Sequence, residues 1–119
     1  MIAVSRRTDS LQSADKLAPA LNLISKNYCR DISLSELSKA CGMTREYFCR
    51  LFKKNFHTTA FFYIRSMRIQ EAKKRQLLYP ERNLEKIAGD VGYNSLNYFL
   101  TDFKKIAGVT PTEFKKERF

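Results

Sequence analysis

The side chains that can act together chemically form one row on a predicted helix. The row consists of Glu46, Cys49, Arg50 and Lys53. Their spacing places them on a single helical face, and the apolar residues of the same segment fall on the opposite face. The row therefore predicts an outward surface of hydrogen-bond donors and acceptors.

The remaining reactive residues do not support catalysis or metal binding. His57 is the single histidine, and a lone histidine at a predicted helix end is more often a surface or capping residue than a catalyst. Cys29, Cys41 and Cys49 are odd in number and lack C-x-x-C spacing, so neither a disulfide framework nor a zinc site is indicated. The carboxylates are scattered, and we expect them to be solvated charges on helix faces. We therefore predict no catalytic residue, no metal and no cofactor.

Positive charge is concentrated in one part of the chain. The 119 residues carry 22 Lys and Arg against 12 Asp and Glu, a net charge of +10. Residues 44–79 hold nine of these cations and two of the anions. This excess indicates a polyanionic partner, with a merely soluble basic protein as the alternative. The longest apolar runs have five residues, far short of the roughly 20 that span a membrane, and we expect a reducing, cytoplasmic location.

Two segments, residues 34–54 and 84–105, repeat one pattern along the chain. The offset is 50 residues up to Gly42 and Gly92, and 51 residues from the following tyrosines onward. Each copy predicts a short helix, a tight glycine turn and a longer helix, which is the pattern of a helix-turn-helix unit. Such a unit can lay its second helix in the major groove of DNA. Two copies in one basic chain predict DNA binding.

Capping residues predict where these helices begin. Ser33 opens an S-x-x-E capping box before the first short helix, and Thr44 is placed to cap the longer helix that follows. In the second copy, Asn83 is the predicted cap of the short helix, and Asn94 or Ser95 begins the longer one.

Three further helices are predicted outside the repeat. Pro19 suits the first turn of an opening helix, and Pro111 suits that of a short closing helix. The apolar face of the opening helix would comprise Leu17, Leu21, Ile24 and Tyr28. Residues 58–79 lack Gly and Pro and predict one continuous helix about 31 Å long. Because successive major grooves on one DNA face are about 34 Å apart, we expect this helix to be a spacer between two recognition helices. A helix that only fills space between two lobes is the alternative.

Two sets of residues, one in each half of the chain, carry a resemblance to a known family. The first half carries the resemblance in Leu34-x-x-Leu37-Ser38, Tyr47-Phe48-x-x-Leu51-Phe52-Lys53-Lys54, Tyr63-Ile64, Arg68-Ile69-x-x-Ala72-Lys73 and Leu77-Leu78. The second half carries it in Ile87-Ala88-x-x-Val91-Gly92-Tyr93-x-Ser95-x-x-Tyr98-Phe99-x-x-x-Phe103-Lys104-x-x-x-Gly108-Val109-Thr110-Pro111. These residues resemble the DNA-binding domain of the AraC/XylS transcription regulators, and the similar region covers about residues 18–118.

The resemblance implies an all-α fold of about seven helices, with two helix-turn-helix subdomains joined by a long linker helix. We divide the chain into a flexible N-terminal arm, a first subdomain, the linker helix and a second subdomain, at residues 1–13, 14–57, 58–79 and 80–119. The resemblance also implies binding to double-stranded promoter DNA and activation or repression of transcription, often through contact with RNA polymerase. Between the two, we expect an activator. We expect a monomer, because one chain supplies both recognition helices, and no small-molecule ligand is evident.

The family contacts bases from the outward faces of its two recognition helices. Carried onto this chain, the base-contacting residues are Arg45, Glu46, Cys49 and Arg50 in the first helix and Ser95, Leu96, Asn97, Leu100 and Thr101 in the second. The expected phosphate contacts are Thr44, Lys53, Lys54, Lys104 and Lys105. Arg50 is the strongest candidate, because a guanidinium can donate two hydrogen bonds to guanine O6 and N7; a phosphate contact is the alternative. Thr101 stands where many members have arginine, and Asp102 is expected to lie beside the DNA and repel phosphate.

A protein-interaction module is the competing class of function. Such a domain would bind RNA polymerase or another regulator and contact DNA only weakly. Salt separates the two hypotheses, because phosphate-driven DNA binding loses affinity steeply as salt rises. We expect the chain to be either a stand-alone regulator or the C-terminal domain of a larger one.

Overall fold

The computed structural model describes the backbone of residues 2–118 and the side chains of residues 15–117. In that part of the chain the regular structure is entirely helical, which confirms the predicted all-α fold. The seven helices are α1 (Ile2–Asn27), α2 (Leu34–Ala40), α3 (Arg45–Phe56), α4 (Ala60–Leu78), α5 (Leu84–Asp90), α6 (Leu96–Ala107) and α7 (Pro111–Arg118). No helix of the described residues is long and apolar enough to cross a membrane. The predicted N-terminal arm, residues 1–13, lies outside the described side chains.

The opening helix differs from the prediction at both ends. Residues 15–18 are already helical, so Pro19 lies inside α1 rather than in its first turn. Pro19 is exposed, and water can therefore reach the carbonyl that its missing N–H leaves without a helical partner. The buried face of the described part comprises Leu17, Ala20 and Ile24. α1 ends at Asn27, so the prediction that Tyr28 lies on this face is wrong.

The first helix-turn-helix begins at its predicted caps. The Ser33 N–H donates to Glu36 Oε2 at 2.8 Å, and the Glu36 N–H donates to Ser33 Oγ at 3.1 Å, which completes the capping box. Thr44 Oγ1 accepts the Tyr47 N–H at 3.2 Å. Each bond satisfies an amide that the first turn of a helix leaves without a backbone partner.

The helices of the second helix-turn-helix are capped in the same way. Asn83 Oδ1 accepts the Lys86 N–H at 2.8 Å, as predicted. Between the two candidates for the next cap, the structure selects Ser95 over Asn94, because Ser95 Oγ accepts the Tyr98 N–H at 3.2 Å.

Glycine occupies both turns between the paired helices. Gly42 has φ +65° and Gly92 has φ +107°, a backbone region that side chains with a Cβ disfavour. At Gly92 there is also no room, since a Cβ would lie 2.9 Å from the Cα and the carbonyl oxygen of Cys29. The turn of the second unit therefore needs glycine for conformation and for close packing.

The chain forms two compact units. The first comprises the residues up to Asn27 together with Ile32–Tyr63, and the second comprises Tyr28–Asp31 together with Ile64–Phe119. α4 contributes its first four residues to the first unit and the rest to the second. The core of the first unit comprises Leu17, Ala20, Ile24, Ile32, Leu37, Phe48, Leu51, Phe52 and Ala60. The core of the second comprises Ile69, Ala72, Ile87, Ala88, Val91, Tyr93, Phe99, Phe103 and Phe114.

Candidate nucleic-acid interface

One face of α3 is polar and exposed to solvent. The residues predicted to point outward are all exposed, and they are Arg45, Glu46, Cys49, Arg50 and Lys53. Lys54, a predicted phosphate contact, is exposed on the same face. Thr44, which caps the helix, is exposed as well. The opposite face, formed by Phe48, Leu51 and Phe52, is buried. The predicted division of this helix into two faces is therefore confirmed, and its outer face carries four cations and one carboxylate.

Aromatic packing fixes the rotation of α3 in the first unit. The ring of Phe52 lies 5.7 Å from that of Phe48, 4.6 Å from Phe56 and 5.6 Å from Tyr63. The Phe52–Tyr63 contact is edge-on at 82°, a preferred geometry for aromatic pairs. Because these rings hold the inner face, the polar face of α3 has one defined orientation within this unit.

α6 repeats this arrangement with less charge. Ser95, Leu96, Asn97, Thr101, Lys104 and Lys105 are exposed, while Phe99 and Phe103 are buried. The Thr101 hydroxyl donates to the Asn97 carbonyl at 2.9 Å. Leu100 is half-buried and packs against the core of the second unit, so the prediction that it belongs fully to the outer face is wrong. Its position between Phe99 and the exposed Thr101 places it at the border of the two faces.

Asp102 is the largest departure from the sequence-based expectation. It was expected to lie beside the DNA, but it is only 5% exposed. Its Oδ2 accepts the Tyr93 hydroxyl at 2.6 Å and the Arg65 Nε–H at 3.1 Å. Asp102 stands 51 residues after Leu51, so it occupies the inward register that an apolar residue fills in the first unit. The carboxylate is therefore part of the interior, and the Arg65 guanidinium balances its charge.

A second carboxylate, Asp90, is also paired. Lys86 Nζ lies 3.1 Å from its Oδ1, and Arg82 and Arg75 lie 3.3 Å and 3.8 Å from its Oδ2. The hydrogen bond from Lys86, with the charges of Arg82 and Arg75, lowers the pKa of Asp90 below its usual value. The expectation that the carboxylates are merely solvated charges is therefore wrong for Asp90 and Asp102.

Arg68 shows that the basic segment 44–79 is not all surface. It is 9% exposed, and it donates from Nε to the Tyr28 carbonyl at 2.6 Å and from Nη2 to the Arg30 carbonyl at 2.9 Å. Its guanidinium also lies 5.6 Å from the centroid of the Tyr93 ring. Arg68 thus holds residues 28–31 in the second unit and is not available to a polyanion.

The two recognition-helix candidates also expose an aromatic residue at equivalent positions. Tyr47 is 40% exposed and Tyr98 is 54% exposed, and they are 51 residues apart. Tyr98 borders a cleft of about 330 Å³ together with Asn94, Ser95 and Arg68. The sequence assigned neither tyrosine to the interface, although the repeat and the unusual exposure of both rings mark them as candidates.

The cysteines and the acidic residues offer no metal centre in the described part of the chain, where no group of three or more His, Cys, Asp and Glu could hold an ion. Cys41 is half-buried, and burial raises the pKa of its thiol. Cys49 remains exposed within the outer face of α3.

Comparison with known proteins identifies this arrangement. Residues 37–117 match the family model described as a helix-turn-helix domain. An uncharacterized HTH-type transcriptional regulator of Bacillus subtilis, YdeC, is 33% identical over 101 residues, which are 85% of this chain and 34% of that protein. The chain spans 34% to 57% of the length of the first curated relatives it matches.

Solved structures share the fold. A transcriptional regulator of Chromobacterium violaceum with an AraC-type DNA-binding domain has a TM-score of 0.80 at 24% identity, over 91% of this chain and 96% of that one. The DNA-binding domain of the transcriptional factor AdpA, solved in complex with a target DNA, has a TM-score of 0.74 at 19% identity, over 85% of this chain and 90% of that one. Because the family model matches residues 37–117, more than half of the chain, the chain belongs to the AraC-type helix-turn-helix family, whose members are DNA-binding transcription regulators.

Proposed function

We propose that the chain binds double-stranded promoter DNA in a sequence-specific manner, with α3 and α6 as its recognition helices. The observation that carries this proposal is the pair of exposed polar helix faces, each capped and backed by an aromatic core, at equivalent positions of two helix-turn-helix units. Activation of transcription, contact with RNA polymerase and action in the bacterial cytosol belong to the same proposal. If the chain is part of a longer protein, the activity of that protein as a transcription regulator belongs to the same proposal.

In the first unit, Arg50 is the proposed main reader of base sequence. Its guanidinium is exposed in the middle of α3 and can donate two hydrogen bonds to one guanine. Glu46 can accept from the amino group of cytosine, and Arg45 and Cys49 border them. Thr44, Lys53 and Lys54 lie at the two ends of the helix, where contacts to phosphate position the protein without specifying sequence.

In the second unit, the proposed contacts are weaker. Asn97 can pair with adenine, and Leu96 can contact the methyl group of thymine. Ser95 and Thr101 are exposed hydroxyl groups beside them, while half-buried Leu100 can contribute only its outer edge. Lys104 and Lys105, at the end of α6, are proposed phosphate contacts.

We further propose that one chain occupies two neighbouring major grooves as a monomer. α4 has 19 residues, of which the first four belong to the first unit and the rest to the second. Since the two recognition helices belong to one chain and differ in sequence, a two-fold axis is not needed to engage two grooves.

Selection of bound duplexes from a random pool tests these proposals together. We expect one asymmetric motif of roughly 20 base pairs, bound by one chain. Stoichiometry is measured on the selected duplex by sedimentation. A palindromic motif with two chains per site would contradict the monomer proposal, and the absence of any motif would contradict sequence-specific binding.

Titration at several salt concentrations separates DNA binding from the protein-interaction alternative. We assume that Lys53, Lys54, Lys104, Lys105 and one further cation contact phosphate. A plot of the logarithm of the affinity against the logarithm of the salt concentration should then have a slope of about −4 to −5. A slope near zero, together with salt-resistant binding to RNA polymerase, would support the protein-interaction module instead.

A further inference from the structure

The buried carboxylate on α6 has an unusual place in a recognition helix. Asp102 is on the inner side of the helix, next in sequence to Phe103 and three residues after Phe99, both fully buried. A single oxygen, Oδ2, accepts hydrogen bonds from Tyr93 in the preceding turn and from Arg65 on α4. Two buried aromatic rings and two hydrogen bonds to one carboxylate oxygen thus help to hold the helix in its unit.

The first unit shows that this fold does not require a polar group here. The positions that correspond to Tyr93 and Asp102 are occupied by Met43 and Leu51, and Leu51 is buried. Apolar residues of suitable volume often replace a buried ion pair without loss of stability. Apolar packing tolerates small shifts, whereas hydrogen bonds to one oxygen have a preferred direction. The polar contact therefore defines an orientation that apolar packing would leave less constrained.

The contact is also connected to the outer part of the helix. The Tyr93 ring lies 5.4 Å from Phe99 and 5.5 Å from Tyr98, both of which belong to α6. Tyr98 is exposed in the first turn of the helix, one residue after Asn97. Tyr93 thus touches α6 at three points, through its hydroxyl at Asp102 and through its ring at the other two.

We propose that Asp102, with Tyr93 and Arg65, is a positioning residue that sets the rotation of the second recognition helix and thereby decides which bases α6 contacts. The inference rests on the proposed function. Asp102 itself touches no base or phosphate; it acts through the orientation of Leu96, Asn97 and Thr101.

Three variants of this contact test the proposal. Asp102→Asn keeps the size and one acceptor oxygen that can take both hydrogen bonds. Asp102→Leu combined with Tyr93→Met copies the apolar pair of the first unit. Tyr93→Phe removes only one hydroxyl and keeps the ring contacts. Asp90→Asn is the matched control, because Asp90 is another paired carboxylate of the same unit that lies outside α6.

The measurement is the base preference of each half of the motif, obtained by repeating the random-pool selection with each folded variant. Folding is checked by circular dichroism and thermal unfolding. We expect the double variant to keep wild-type preferences in the first half and to lose about tenfold discrimination in the second half, the value of roughly one lost base contact. Tyr93→Phe should show a smaller loss in the same half, while Asp102→Asn and Asp90→Asn should keep both halves.

Other outcomes overturn the inference. If the folded double variant and Tyr93→Phe keep wild-type preferences in the second half, the contact is only structural. If the preferences weaken equally in both halves, the effect is general destabilisation. Should the double variant fail to fold, the result for Tyr93→Phe decides by itself. A wild-type protein that selects no motif would contradict the proposed function, and the inference with it, whereas unchanged variants of a motif-selecting protein contradict the inference alone.

Discussion

At the scale of single residues, the outer face of α3 contains two kinds of cation. Arg50 lies in the middle of the exposed row, while Lys53 lies one turn further toward the end of the helix. A guanidinium has the planar geometry that pairs with one base, whereas a lysine ammonium is a point charge suited to phosphate. The two side chains should therefore contribute differently to specificity and to salt dependence.

We expect Arg50→Ala to weaken binding to the selected duplex by about 1–3 kcal/mol and to relax the preference at one base pair. Lys53→Ala is the matched control, which should weaken specific and random duplexes alike and reduce the salt slope by about 1. The loss of affinity and the change in base preference are measured by titrating both variants against the selected duplex and against duplexes with single-base changes. An unaltered base preference in Arg50→Ala would show that Arg50 contacts phosphate only.

Tyr93 allows a separate test of its buried environment. Burial, and then its hydrogen bond to Asp102, raise the pKa of the Tyr93 phenol far above the usual value, which is about 10. Folding favours the neutral phenol of Tyr93. The contribution of this side chain to stability is therefore complete below about pH 10 and is lost as pH rises further.

Between about pH 9 and pH 11, Tyr93→Phe should leave the ultraviolet ionisation curve of the folded protein unchanged, because Tyr93 stays neutral there. In urea the same substitution should remove one of the six tyrosines from the curve, which serves as the control. If the folded variant also loses this amplitude, the Tyr93 hydroxyl is not protected as the structure indicates.

At the scale of elements, α3 and α6 end in the same way with different residues. His57 and Gly108 are 51 positions apart and have φ values of 59° and 83°. Each donates its N–H at 2.8 Å to a carbonyl four residues earlier, that of Lys53 or Lys104. Glycine adopts this left-handed conformation without strain, whereas histidine does not.

His57→Gly should therefore raise the free energy of unfolding by roughly 0.5–1 kcal/mol, since relief of strain exceeds the added chain entropy. Gly108→Ala should lower it by about 1–2 kcal/mol, through backbone strain alone, because a Cβ at Gly108 meets nothing within 4 Å. Chemical denaturation of both variants measures the differences. Destabilisation by His57→Gly would mean that the imidazole makes a stabilising contact that outweighs the strain.

At the scale of the whole molecule, the DNA-binding surfaces that we propose for the two units differ in chemistry. The outer face of α3 has Arg45 and Arg50, while that of α6 has no arginine. Asp102 contributes little to this difference, because the Arg65 guanidinium balances its charge. The expected difference in base discrimination comes from the type of side chain, because contacts to thymine methyl groups discriminate less than a bidentate arginine pair.

Scrambling the half-site under α3 should thus reduce affinity about tenfold more than scrambling the half-site under α6, a difference of about 1.4 kcal/mol. Titrations at one fixed salt concentration, with a fully scrambled duplex as control, measure both losses. Equal losses, or a larger loss under α6, would show that Asn97, Thr101 and Tyr98 discriminate bases better than their chemistry suggests.

The sequence by itself determined the features that depend on neighbours within one or two helical turns. The capping box at Ser33, the cap at Thr44, the turn at Gly42 and the buried face of Phe48 and Phe52 were all predicted, because capping bonds and helical periodicity act over three to eight residues. The repeat and the family resemblance extended these local signals to the whole fold. The outer face of α3 followed directly from its periodicity.

Only the tertiary structure decided which charged residues are interior. Arg65 meets Asp102 across 37 positions, and Arg68 reaches Tyr28 across 40. Arginine and aspartate side chains usually lie at the protein surface, and no local pattern in the sequence predicts the partners of Arg65, Arg68 and Asp102. Packing brings the partners together, and burial is acceptable because each charge gains hydrogen bonds that replace water. Packing between distant segments also decided two other positions. It placed Leu100 at the border of the two faces of α6, and it placed Tyr28 in the second unit.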